Sequence, residues 1–290
     1  MKKLMGILVL GLTLVVGPNA RSSGMLQIKG SDTLINLVQK LAEEYMAENP
    51  GSQIAITGGG SGTGIAALLN KKCDIANSSR QMKAAEVSQA LKGGVDAKRV
   101  VIAIDGLSVI TNPQNPVTQL TVDEIGAIYR GDIINWKDVG GNDSPITLYG
   151  RQSNSGTFEF LRDVVLKGDY SQKMNHMNGN AQIVEAVKQD VSGIGYVGVG
   201  YVKEAASVTT LNVAAKAGGE YASPLNSDNV KNGKYPISRP LNQYINGTPK
   251  GTVLDFLKYE LSHRGQQIVE EEGFFAIPPE YQEFNRKAGL

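Results

Sequence analysis

The sequence predicts an α/β fold, because strand-like apolar runs alternate with amphipathic helical stretches and glycine-rich turns join them. Glycine accounts for 34 of the 290 residues, against roughly 7% in an average protein. The first unit is a strand at residues 26–29 and a helix at 34–47. The second has a strand at 53–57, a turn at 58–62 and a helix at 65–71. This repeated strand, turn and helix order favours an α/β architecture.

Later segments continue the alternation. Residues 100–110 form an apolar run that contains Asp105 and Gly106, which predicts a strand passing from one domain into another. Polar turn residues at 150–155 separate a predicted strand from a helix. The remaining predicted elements are strands at 146–149, 194–202 and 235–245, helices at 157–166 and 253–270, and a tail that contains Pro278 and Pro279.

The N-terminus has the layout of a secretory signal peptide. Two lysines at positions 2 and 3 precede 13 residues without a charge, and small or polar residues follow around Ala20. The apolar run is shorter than the roughly 20 residues that a membrane span needs. We therefore expect residues 1–20 to be removed and the mature protein to be exported and periplasmic, with no cysteine near the cleavage point for lipid attachment.

Composition excludes several classes of protein. The 29 basic and 28 acidic residues nearly balance, so the chain lacks the positive charge of a general nucleic-acid binder. Cys73 is the single cysteine, which excludes an internal disulfide framework and a multi-cysteine zinc site. With only His176 and His263, a His-rich metal centre is not expected. No cofactor or metal is predicted.

Three strand-to-helix turns carry the candidate chemistry. They are rich in Ser, Thr and Gly and lie at residues 30–33, 58–64 and 153–157. A helix N-terminus presents unpaired N–H groups, glycine lets an anion approach them, and hydroxyls add donors. Arg151 precedes the third turn and offers donors that match a tetrahedral oxyanion. Helix capping alone explains any one such turn, and Asp32 is first interpreted as a cap or turn former.

Competing motifs are weak or absent. Residues 62–67 fit the G-x-G-x-x-A dinucleotide pattern, which has little specificity by itself. The sequence contains neither the P-loop pattern nor the G-x-S-x-G nucleophile elbow. Both histidines are far in sequence from the three turns, which disfavours a Ser-His-Asp hydrolase.

Several ordered motifs resemble the phosphate-binding subunits of phosphate ABC transporters, the PstS-like proteins. The resemblance covers essentially the whole mature chain. Its motifs are KGSDTL at 29–34, GGGSGTG at 58–64, DIANSSR at 74–80, LTVDEIGAIYRG at 120–131, INWKDVG at 134–140, RQSNSGT at 151–157, GIGYV at 193–197 and YPISRP at 235–240.

The resemblance implies a two-lobed periplasmic-binding-protein fold of type II, with a ligand cleft between lobes that crossover strands join. We expect lobe I at 21–106 and 233–290 and lobe II at 107–232. By position in the motifs, the residues expected to bind phosphate are Ser31, Thr33, Leu34, Ser61, Ser79, Arg151, Ser155, Gly156 and Thr157. The implied function is capture of phosphate and its delivery by a monomer to a membrane permease, without catalysis.

Two departures from the family pattern affect selectivity. Ser79 stands where the family often has an Asp that accepts a proton from phosphate, and residues 152–154 lack the acid often found near the arginine. An acceptor carboxylate rejects fully ionised oxyanions, whereas a hydroxyl can donate or accept. Sulfate or another oxyanion therefore remains an alternative ligand. An exported phosphoesterase is a further alternative, although no nucleophile and base are evident.

Overall fold

A computed structural model describes residues 24–203 and 206–290, which contain twelve strands, ten α-helices and three short 3-10 or π-helical segments. The expected signal peptide at 1–20 lies outside these residues. The strands are β1 (Leu26–Gly30), β2 (Ile54–Thr57), β3 (Ile75–Ser78), β4 (Ala97–Gly106), β5 (Ser108–Thr111), β6 (Gln119–Thr121), β7 (Thr147–Arg151), β8 (Asn175–Met177), β9 (Gly193–Val197), β10 (Thr209–Thr210), β11 (Asn212–Ala214) and β12 (Ser238–Asn246).

The helices flank these strands, and three of them begin within or just after the turns at 30–33, 58–64 and 153–157. They are α1 (Ile35–Glu48), α2 (Ser61–Leu69), α3 (Ala84–Lys92), α4 (Val122–Arg130), α5 (Gly156–Leu161), α6 (Asn180–Gln189), α7 (Ser227–Lys231), α8 (Gly251–Leu261), α9 (His263–Glu271) and α10 (Pro279–Lys287). Among the described residues, no helix combines the length and the apolar character that crossing a bilayer requires.

Two five-stranded sheets organise the molecule. The first has the order β2-β1-β3-β12-β4, and the second has the order β10-β5-β9-β7-β8. In the first sheet β2, β1 and β3 are parallel, so their carboxyl ends meet at one edge. We call the first sheet with its helices lobe I and the second sheet with its helices lobe II. The expected α/β fold is confirmed, whereas the exact lobe boundaries at 106/107 and 232/233 stay a prediction.

The connection between the sheets occurs at Leu107. This buried residue separates β4 from β5, and its N–H donates to the Ile237 carbonyl at 2.9 Å, just before the returning strand β12. The Tyr235 hydroxyl donates to the Leu107 carbonyl at 2.5 Å. The two crossover segments are therefore bonded side by side, and the predicted single strand at 100–110 is two strands that belong to different sheets.

The C-terminal segment differs from the sequence prediction. The helix predicted at 253–270 is broken at Ser262, whose hydroxyl accepts a hydrogen bond from the Gly265 N–H at 3.1 Å and begins α9. The predicted tail is the helix α10, with Pro279 at its first position. Proline is well suited to that position because its missing N–H would have no helical partner there.

Lobe I contains a buried acid, Glu260 on α8. Its Oε1 accepts from Gln243 Nε2 at 3.0 Å, and the same nitrogen donates to Asn77 Oδ1 at 3.1 Å. Glu260 is fully buried. Burial raises the pKa of Glu260 from 4.5 to about 8, so the carboxyl is neutral in the folded protein at pH 7 and ionised in the unfolded chain.

This shift predicts that the free energy of unfolding falls as pH rises from about 4.5 to about 8. Glu260→Gln should remove that slope and stabilise the protein at pH 7 by about 3 kcal/mol, since each pKa unit corresponds to about 1.4 kcal/mol. Urea unfolding at pH 5 and pH 7.5 measures the effect. Glu43→Gln, an exposed change on α1, is the control. Equal pH slopes for the native protein and Glu260→Gln would contradict the prediction.

Candidate functional site at the interlobe cleft

The first turn joins β1 to α1. Gly30 has a φ of +141°, and a Cβ there would lie 2.2 Å from the Asn77 carbonyl oxygen of β3. Glycine therefore allows the ends of β1 and β3 to approach closely. Ser31 and Thr33, which follow Gly30 in the turn, are buried, and Leu34 is part of the core. Ser31 Oγ accepts the Thr33 N–H at 3.3 Å. α1 begins without a side-chain capping bond, so capping does not explain the Thr33 hydroxyl.

The second turn lies beside the first. α2 begins at Ser61, again without a side-chain cap. Ser61 Oγ accepts the Ser79 N–H at 3.0 Å and lies 3.3 Å from Ser79 Oγ. Both side chains are fully buried. The end of β3 thus places Ser79 against the start of α2.

The third turn comes from lobe II. Arg151 ends β7, and Ser155 caps α5, where its Oγ accepts from the N–H groups of Thr157 at 3.2 Å and Phe158 at 3.4 Å. The capping explanation is therefore correct for Ser155. Gly156 follows, and a Cβ there would lie only 2.3 Å from Ser61 Oγ and 2.9 Å from Ser79 Oγ. The third turn is pressed directly against the other two.

Hydroxyl groups of the two lobes meet in this cleft. Thr157 Oγ1 lies 3.0 Å from Thr33 Oγ1 and 3.4 Å from Ser79 Oγ. Asn154 Nδ2 donates to the Gly59 carbonyl at 2.9 Å, which closes the rim. The structure thus brings together residues separated by up to 124 positions in the sequence, and the lobes are closed.

Arg151 is the cation of the cleft and is 2% exposed. Its Nη2 forms an ion pair with Asp32 Oδ2 and donates to the Asn178 carbonyl at 2.9 Å. Its Nε and Nη1 are buried and have no hydrogen-bond partner among the described residues. Buried donors without partners are costly. An anion in the cleft would satisfy them.

Asp32 is a residue whose role the sequence interpretation missed. The sequence predicts a cap or turn former, but the Asp32 carboxylate pairs with Arg151 from the other lobe and accepts the Gly59 N–H at 2.8 Å. The Tyr201 hydroxyl donates to its carbonyl at 2.6 Å. The arginine therefore has an acidic partner after all, supplied across the cleft. The only signal in the sequence for this ion pair is the position of Asp32 within the first Ser, Thr and Gly-rich turn.

Arg239 and Asp105 form a second buried pair that the sequence analysis did not assign to the site. Arg239 on β12 donates through Nε and Nη2 to Asp105 Oδ2 at 3.0 and 2.9 Å. The same Nη2 donates to Thr157 Oγ1 at 3.0 Å, and the Val199 N–H donates to Asp105 Oδ1 at 2.9 Å. The signal in the sequence was a single charge, Asp105, inside the apolar run at 100–110.

Both arginines at the cleft are thus neutralised by carboxylates, so the net charge there is close to zero. Hydroxyls, N–H groups and the unpaired donors of Arg151 remain to bind an anion. Within residues 24–203 and 206–290, no three His, Cys, Asp or Glu side chains are grouped so that they could hold a metal ion. The arrangement can bind and enclose a small oxyanion.

Comparison with known proteins agrees with this geometry. Residues 17–264 match the family model described as a PBP superfamily domain. The chain is 36% identical over 280 residues to the phosphate-binding protein PstS of Pseudomonas aeruginosa, with coverage of 90% of this chain and 85% of the relative. The chain belongs to the PstS family. A PstS protein of Bacillus subtilis is 31% identical, with 89% of this chain and 82% of that protein covered.

Solved PstS-like structures share the fold. A phosphate ABC transporter substrate-binding protein from Clostridium perfringens with bound phosphate has a TM-score of 0.79 and 29% identity, and covers 88% of this chain and 100% of its own. An ABC-type phosphate transport receptor from Vibrio cholerae has a TM-score of 0.70 and 28% identity, with 87% and 100% covered. The expected PstS-like relationship is confirmed.

Proposed function

We propose that this protein captures inorganic phosphate in the interlobe cleft and delivers it to the permease of an ABC transporter. The observation that carries the proposal is the pair of buried, unpartnered donors on Arg151 within a cleft lined by hydroxyls of both lobes. A hydrogen-bonded cradle of this kind suits a tetrahedral oxyanion. The relatives named above are phosphate-binding proteins, and one of the solved structures holds phosphate.

The expected ligands divide by lobe. Lobe I supplies Ser31, Thr33, the backbone of Leu34, Ser61 and Ser79. Lobe II supplies Arg151, Ser155, Gly156 and Thr157, where the contribution of Gly156 is its N–H group. Two further groups do not bind the anion but orient residues that do. Asp32 orients Arg151, and Arg239, which pairs with Asp105, orients Thr157.

Selectivity for phosphate rests on Ser79. Ser61 Oγ accepts the Ser79 N–H, and Thr157 Oγ1 accepts from Arg239, so both hydroxyl hydrogens remain available to donate. The Ser79 hydroxyl lies between them and can accept the proton of monoprotonated phosphate. Because a hydroxyl does not repel a fully ionised anion as a carboxylate does, we expect weak sulfate binding as well.

The mechanism is closure without covalent chemistry. Phosphate binds one lobe of the open protein, and closure adds donors from the other lobe. A ligand biases this equilibrium only through its different affinity for the two states. An exported phosphoesterase is less well supported. Among the described residues of the cleft no hydroxyl contacts a histidine, and His176 Nδ1 lies 3.1 Å from the Arg151 carbonyl instead.

The cellular location is proposed from the N-terminal sequence. We infer that residues 1–20 direct export and are removed, which places the protein in the periplasm as a monomer that docks on the membrane permease. Immunoblots of periplasmic and membrane fractions test the location, and the mass of the mature chain tests the cleavage point.

Calorimetric titration of the mature protein, unfolded and refolded to remove carried-over ligand, tests the function. We expect one phosphate per chain, with sulfate bound at least tenfold more weakly. Hydrolysis of a chromogenic phosphate ester should be absent. Sulfate binding equal to or tighter than phosphate would show that the hydroxyl at position 79 changed the ligand, and ester turnover would favour the phosphoesterase.

A further inference from the structure

A cluster of charged side chains links the lobes next to the candidate site. Arg80 directly follows Ser79 in lobe I, and Glu159 lies on α5, two residues after Thr157. Arg80 Nε lies 2.8 Å from Glu159 Oε2, and Lys83 Nζ lies 2.7 Å from the same oxygen. We call Arg80, Lys83, Glu86 and Glu159 the ionic latch.

Most of the contacts of Arg80 are with residues of its own lobe, lobe I. Its Nη1 and Nη2 donate to Glu86 Oε2 and Oε1, both at 2.7 Å, and Nη1 also donates to the Gln81 carbonyl at 2.8 Å. This two-point contact fixes the guanidinium plane. Only Nε is left to face lobe II. Arg80 is therefore oriented by contacts within lobe I, and its Nε faces one acceptor from lobe II, the carboxylate of Glu159.

Glu159 is buried at the contact between the closed lobes. In the closed structure its side chain is 8% exposed, and the Arg80 side chain is 7% exposed. Both contacts with Glu159 Oε2 are close charge contacts rather than aligned hydrogen bonds. Opening would return the carboxylate to water and leave Arg80 with Glu86 alone. The attraction therefore exists only in the closed form.

The latch lies at the edge of the site without belonging to it. Ser79, Arg80 and Glu159 line one crevice of 310 Å³ between the lobes. All three nitrogens of Arg80 face carboxylates or a carbonyl, in contrast to Arg151. A carboxylate cannot attract an anion, so Glu159 does not itself hold phosphate. Its influence on the ligand must act through closure.

We propose that Glu159 is a positioning residue that holds the lobes closed over bound phosphate through Arg80 and Lys83, and so sets the rate of release. The proposal rests on the function proposed above. Because the contact forms after the ligand has bound the open protein, its loss changes koff and leaves kon unaltered.

The test compares Glu159→Gln with Glu185→Gln, an exposed glutamate on α6 of the same lobe. Protein loaded with radiolabelled phosphate is chased with unlabelled phosphate to give koff, and equilibrium dialysis gives Kd. Glu159→Gln should release phosphate about tenfold faster with unchanged kon, whereas Glu185→Gln should behave as the native protein does. Urea unfolding checks that both variants are folded.

Lys83→Met provides a milder variant, because the Lys83 side chain is 47% exposed and Arg80 remains paired. It should accelerate release about threefold. An unchanged koff in the folded variants, or an effect confined to kon, would overturn the latch while leaving phosphate binding established. If the native protein itself bound no phosphate, the proposed function would be wrong and the latch with it.

Discussion

Gly156→Ala is expected to weaken phosphate binding by about 100-fold while leaving the fold intact. The added Cβ would lie 2.3 Å from Ser61 Oγ, which belongs to the other lobe. Overpacked contacts of this kind cost about 1–3 kcal/mol, and here opening the cleft relieves the clash. Alanine also suits the first turn of a helix better than glycine does, so the lobes themselves should remain folded. Calorimetry with phosphate measures the loss.

Gly179→Ala is the matched control for this change. Gly179 likewise lies at the N-terminal end of a helix of lobe II, immediately before α6, but a Cβ there meets nothing within 4 Å. It should bind phosphate as the native protein does. Native-like affinity in a folded Gly156→Ala variant would mean that the lobes do not approach at this point when phosphate is bound.

Arg151→Ala is expected to weaken phosphate binding by about 2 to 4 kcal/mol, the scale for truncating one partner of a desolvated charge pair. This corresponds to roughly 30- to 1000-fold in Kd. The variant removes the two unpartnered donors and leaves Asp32 without its cation. The control is Arg162→Ala, which removes a half-buried arginine of lobe II that pairs with Asp163.

The double variant Arg151→Ala/Asp32→Asn separates the two causes. If the donors of Arg151 hold the anion, affinity stays low when the orphaned carboxylate is also removed. Recovery to near-native affinity in the double variant would instead show that the loss came from the unpaired Asp32, and it would reject Arg151 as a ligand.

The parts of the site that the sequence predicted are the local ones. A Ser, Thr and Gly-rich turn between a strand and a helix depends on backbone preferences over a few residues, so the starts of α1 and α5 are predicted to within one residue. The prediction is wrong for α2, which begins at Ser61, four residues before the predicted helix at 65–71. Ser155 shows the limit of this reasoning, because its hydroxyl caps α5. Whether it also reaches the anion stays a prediction.

The parts that the sequence did not predict depend on contacts between distant segments. Asp32 and Arg151 are 119 positions apart, and Arg239 and Asp105 are 134 apart. Nothing in the spacing of either pair indicates that they meet. The closed lobes bring Asp32 and Arg151 together, whereas Arg239 and Asp105 lie opposite each other on the adjacent antiparallel strands β12 and β4 of lobe I. The break at Ser262 has a local signal that the prediction did not use: residues 262–267 contain no apolar side chain, and Ser262 caps the second helix.

A crystal structure of the mature protein grown with phosphate tests the central claim most directly. One tetrahedral anion should lie between the lobes, within hydrogen-bond distance of Nε or Nη1 of Arg151 and of hydroxyls from both Ser61 and Thr157. An anion bound by one lobe alone, or held without Arg151, would contradict the proposed capture of phosphate by closure of this cleft.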